Sequence, residues 1–177
     1  MNMIRKILIT LCLVFTFAGS AFAYGNPRWF NIPVSVYIPK VKENSVTIKA
    51  FNEWQMASGG YVRFIYRNAS NFANLTDISI NFTPTLNNSE GYIVKILYPP
   101  FGETSGIFYK ARVTVATSDS EGNPLKEDAL KRRIILAAGR AIGVYNANLT
   151  TSGKISQESI NTLHWLYKPG YSVKEKE

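Results

Sequence analysis

Placed at about 100° per residue, residues 123–144 form a helix with two unequal sides. Leu130, Ile134, Ile135, Ala137, Ala138, Ala141 and Ile142 cover one broad arc. Lys126, Ala129, Arg133, Leu136 and Arg140 form the opposite stripe, with Gly139 and Arg132 at its edge. A helix apolar over so wide an arc is packed deep, so the rest of the chain must wrap it and leave only the stripe to solvent or a cleft. Asn123 is placed to cap it and Pro124 to occupy its first turn, giving an expected helix from there to about Gly143.

The preceding segments supply the layers. Pro33-Val-Ser-Val-Tyr-Ile38 alternates apolar and polar residues and ends at Pro39, the pattern of a half-buried strand. Residues 45–58 switch to helical spacing, with Val46, Ala50, Trp54, Ala57 and Phe51 on one face and Gly59-Gly60 as the stop. Alternation returns at 61–66 and at 77–82, where Ile78, Ile80 and Phe82 share a face. Residues 84–106, rich in Pro, Asn and Ser, are expected to be a loop with one strand candidate at 91–97. Residues 107–116 alternate again. A last helix opens at Ser156, carries Glu158 in its first turn, and runs to about Tyr167 with Ile160, Leu163, Leu166 and Tyr167 in one stripe. Strand, helix, several strands, helix, helix is an α+β order.

The first 23 residues have the form of a cleaved export signal: basic Arg5-Lys6, an apolar run from Ile7 to Ala18, and Ala21-Phe22-Ala23 as the small-residue site. That run is too short to span a bilayer and no second one follows, so no membrane span is expected. Residues 24–177 are then expected to form one exported domain, periplasmic or extracellular and monomeric. The full chain, 46% hydrophobic, is rich enough in apolar residues to bury a core, and its only cysteine, Cys12, lies in the signal, so no disulfide helps. The excess of 20 Lys and Arg over 12 Asp and Glu is interspersed along the chain and reads as a solvated basic surface. No RNP-type, zinc-finger or helix-turn-helix pattern is present, and no nucleic-acid partner is expected.

The string Leu136-Ala-Ala-Gly139-Arg140-Ala-Ile-Gly143-Val-Tyr-Asn146 resembles the metzincin active-site helix, H-E-x-x-H-x-x-G-x-x-H, in its matrixin (matrix-metalloprotease-like) form. Gly143 matches the glycine that ends that helix, and Gly139 the one matrixins often carry before the second histidine. Residues 29–39 resemble the family's opening strand, and Ala50-Phe-Asn-Glu-Trp-Gln55 is similar to its "A-x-x-x-W" first helix. Residues 61–66 and Asp77-Ile-Ser-Ile80 look like its second and third strands, and residues 155–167 like its closing helix. The likeness runs over about residues 28–168. It implies a twisted mixed sheet with a backing helix, the active-site helix below it and a C-terminal helix.

The resemblance alone also implies a zinc endopeptidase, but its three ligand positions fall on Leu136, Arg140 and Asn146 and its general base on Ala137. There is no methionine turn. Zinc hydrolysis needs neutral imidazoles or equivalent ligands and a base, whereas Leu and Ala coordinate nothing and Arg brings a fixed positive charge. His164 is the only histidine and reads as structural. No catalytic residue, metal ligand or cofactor is therefore expected, and zinc enters only if another chain or an unrecognised carboxylate set supplies ligands. The expected protein is a pseudopeptidase that binds a protein or peptide in the degenerate cleft, the alternatives being that zinc enzyme or a structural, surface-interaction domain. Arg140 and Arg133 are the candidate cleft-binding residues. Arg140 either takes a ligand carboxylate bidentately or pairs with an acid of the chain at the vacated metal position.

Overall fold

The computed structural model describes residues 27–99 and 106–169; the expected export signal lies outside the described residues. Among these, five strands and three α-helices form a mixed α+β structure. The elements are β1 (Val34–Tyr37), α1 (Asn44–Ala57), β2 (Phe64–Arg67), β3 (Ile78–Thr83), β4 (Tyr92–Leu97), β5 (Lys110–Ala116), α2 (Glu127–Ala141) and α3 (Gln157–Tyr167). They build one sheet of order β2-β1-β3-β5-β4, parallel except for β4, which runs antiparallel to β5 at one edge. Parallel β1 and β2 need a long crossover, which α1 provides.

The alternation anticipated in the strands decides the layering. Val34, Val36, Ile78, Ile80, Ala111, Val113 and Val115 are buried and belong to one core with the inner faces of α1 and α2. The whole anticipated arc of α2 is buried in that core. Gly139, expected at the edge of the polar stripe, is buried as well, because Trp54 lies across it. The Trp54 indole donates to the Ile135 carbonyl at 2.8 Å, and a Cβ at position 139 would collide with its ring, so glycine there sets how closely α1 and α2 approach. Phe51 and Phe64 add an edge-on ring pair at 5.0 Å, tying α1 to β2.

Three boundaries differ from the sequence expectation: first, the strand candidate at 61–66 begins at Phe64, because the Ser58 hydroxyl accepts the Val62 N–H at 3.0 Å and keeps residues 61–62 in the turn after α1. Asn123 and Pro124 do not open α2. The Asp119 carboxylate accepts the N–H groups of Glu121 and Asn123, at 3.0 and 2.9 Å, and Ser118 bridges Pro124, so these residues close a turn and the helix starts after Lys126. Glu127 and Asp128 then supply negative charge to its first turn. The strand candidate at 107–116 begins at Lys110, because Phe108 instead bonds the Arg28 carbonyl beside an isolated bridge between Arg28 and Ile107.

The far end of α2 is held by side chains. Gly143 follows it at φ +95°, a conformation suited to glycine just past a helix. The Trp29 indole donates to the Ala141 carbonyl at 2.9 Å and the Tyr167 hydroxyl to that of Ile142 at 2.8 Å. These bonds satisfy carbonyls that a helix end leaves open, and they dock α3 and the N-terminal segment on α2. Helix α3 starts where expected, with the Ser156 hydroxyl accepting the Ser159 N–H.

Candidate functional site: the β4 edge and the α2 stripe

The antiparallel register of β4 on β5 fixes which backbone groups remain open. Gly91 and Leu97 turn their carbonyls toward β5, accepting from Ala116 at 2.8 Å and Tyr109 at 3.0 Å. Backbone polarity alternates along such a pair, so Tyr92, Val94 and Ile96 point their N–H and C=O groups away from β5. The Tyr92 carbonyl is taken by the Asn88 side chain at 3.0 Å. No described residue bonds the outward groups of Val94 and Ile96, which form a short unpaired edge among the described residues.

Each end of this edge is fastened. At one end the Asn88 side chain also accepts from the Gly91 N–H at 2.7 Å, which shapes the loop that presents Glu90. Glu90 meets Arg140 of the α2 stripe in a two-pronged pair of 2.7 and 2.6 Å. The guanidinium sits 5.0 Å from the centre of the Tyr92 ring, so it is stacked as well as paired. Hydrogen bonding to Glu90 raises the Arg140 pKa above the ordinary guanidinium value, and burial raises that of the Tyr92 phenol. Arg140 Nε is buried without a hydrogen bond among the described residues. At the other end the hydroxyls of Tyr98 and Tyr145 lie 3.2 Å apart, and Tyr98 leans on Phe108.

The residues singled out in sequence occupy four different environments. Leu136 is half-buried, Ala137 is sealed in the core, Arg140 joins Glu90 beneath β4, and Asn146 is exposed. Arg133 lies against Gly91, and its guanidinium donates to the carbonyls of Ala116 and Ser118, at 2.7 and 3.0 Å, which locks the β5–α2 connection. His164 Nε2 lies 3.1 Å from the Ala57 carbonyl and links α3 to the end of α1. Glu53 and Lys131 form an ion pair between α1 and α2. No three His, Cys, Asp or Glu side chains gather among the described residues. The residues at the resemblance's zinc positions do not fit that metal: one is aliphatic, one is a guanidinium already neutralised by Glu90, and one is an exposed amide.

Sequence reading missed Glu90, Tyr92, Tyr98 and Tyr145. Glu90 is one acid in an Asn- and Ser-rich loop, fifty positions from Arg140, and no spacing joins them. Compared with known proteins, the chain matches no family model and no curated protein sequence.

Proposed function

We propose that the chain is an exported matrixin-like pseudopeptidase that binds an extended peptide along β4 and does not hydrolyse it. The observation that carries this reading is the Arg140–Glu90 pair under a free strand edge. Support also comes from the motif glycines: Gly143 ends α2 in a left-handed conformation, at the position of the glycine that ends the resembled helix, and Gly139 admits Trp54. In this reading an internal ion pair takes the place that the resemblance gives to the metal. An extended peptide would add to the outward N–H and C=O groups of Val94 and Ile96, main-chain bonds giving affinity and alternate side chains selectivity. With the general-base position filled by buried Ala137, a bound peptide would not meet the carboxylate that the resembled helix uses to activate water.

The test is capture of peptides from a tryptic digest of casein by immobilised residues 24–177, beside a Val94→Pro variant. Proline at an outward-facing edge position leaves the β5 ladder intact and removes one docking donor. The native chain should retain peptides uncut, the variant should retain far fewer, and neither should hold zinc after dialysis. Peptide cleavage, or equal capture by the variant, would overturn the reading.

A further inference from the structure

The sheet face opposite the helices carries a charge pattern that the chain order hides. Successive registers pair Arg67 with Tyr37, Tyr37 with Ser79, Ser79 with Arg112, and Arg112 with Lys95. These five residues form one row across all five strands, in which Tyr37 is half-buried and Ser79 is buried. At about 4.8 Å per strand the row is roughly 19 Å long. Arg67, Arg112 and Lys95 are exposed; Arg67 lies 5.5 Å from the centre of the Phe72 ring, while Arg112 and Lys95 stand directly opposite each other, where like charges repel. Lys110 shares this face two residues along β5 from Arg112, bonded through its ammonium to the Asn74 carbonyl. The nearby acid, Asp77, is engaged by both the N–H and the hydroxyl of Ser35, each at 2.7 Å. No strand residue on this face is acidic.

Exposed aliphatics lie on the same face beside the row. Ile65 is two residues from Arg67 on the β2 edge, and Ile93 and Leu97 flank Lys95 on the β4 edge, each about 40% exposed. A linear polyanion would satisfy the cations and leave these side chains in water. A broad anionic surface with an apolar interior satisfies both, its phosphates meeting the cations and its acyl boundary taking the aliphatics.

We propose that this open sheet face docks on an anionic lipid surface. The site is separate from the β4 backbone edge and does not depend on the peptide-binding reading.

The experiment is co-sedimentation of residues 24–177 with phosphatidylcholine vesicles made with and without phosphatidylglycerol. The native chain should bind only the anionic vesicles and release as salt rises. A Lys95→Thr, Arg112→Thr double variant should bind on the order of 25-fold more weakly, about fivefold for each cation lost. An Ile93→Thr, Leu97→Thr variant should lose vesicle binding while keeping its native retention on dextran sulfate resin. Circular dichroism on each variant establishes that the sheet is intact, and the exposed positions of all four residues favour that. Equal binding to neutral vesicles, no binding to either, or a charge variant that binds like the native chain would overturn the proposal. So would an aliphatic variant that binds vesicles normally, which would assign the face to a soluble polyanion.

Discussion

The two faces of the sheet are made by the same strands and differ in almost every physical respect. In β3, Ile80 is fully buried in the core and its neighbour Asn81 faces solvent; in β5, Val113 is buried and Arg112 is not. The helix-side face is packed to exclude water and sets the fold. The other face is only partly covered, with Ser79 and Ala116 buried, and its exposed cations and aliphatics on β4 and β5 are free to serve contact with something outside the chain.

The sharpest break of this contrast is truncation on adjacent residues. Ile80→Ala should cost about 2–5 kcal/mol and Asn81→Ala no more than about 0.5 kcal/mol, as read by urea denaturation. Comparable losses would mean that the second face is also packed. Next in size is Gly139→Ala, which forces a methyl into the Trp54 ring. It should destabilise by about 1–3 kcal/mol, although alanine is the better helix former.

The β4 end of the contrast rests on a weaker bond. Arg140 and Glu90 keep 34% and 43% of their side chains exposed, so Glu90→Gln should cost no more than about 1 kcal/mol. A much larger loss would place the pair among the determinants of the fold. The smallest effect has the opposite sign. Lys95→Glu converts a like-charge cross-strand pair into an attractive one and should stabilise the sheet by about 0.2–1 kcal/mol, less at high salt.

A pH titration separates the faces in another way. On the helix side the Tyr66 hydroxyl donates to Asn52 at 2.7 Å, and burial pushes its pKa up to about 12. The unfolded phenol ionises near pH 10. The stabilisation from keeping Tyr66 neutral is therefore full below about pH 10 and is lost as pH rises through about 12. Tyrosinate absorbance followed beside circular dichroism should show Tyr66 ionising together with unfolding.

Legibility in the sequence follows the same division. The burial pattern of α2, the apolar alternation of β1 and β3, and the Ser156 cap were readable because each depends on near neighbours in the chain. The start of α2 was misread because Asp119, four residues upstream, captures the Asn123 N–H before Asn123 can cap anything. The interspersed charges read only as a solvated basic surface. Only the strand order β2-β1-β3-β5-β4 brings Arg67, Arg112 and Lys95 into one row, and no local pattern encodes that order. Likewise Arg140 was legible as a residue of the stripe, and its partner Glu90 was not.

The most direct test of the peptide-binding reading is hydrogen exchange of the β4 amides, with and without peptides from the casein digest. In the free protein the Val94 and Ile96 amides should exchange quickly, while those of Ile93 and Lys95, directed at β5, are protected. Added peptides should slow Val94 and Ile96 and leave the other two unchanged. Protection of Val94 and Ile96 in the free protein, or no change when peptide binds, would contradict it.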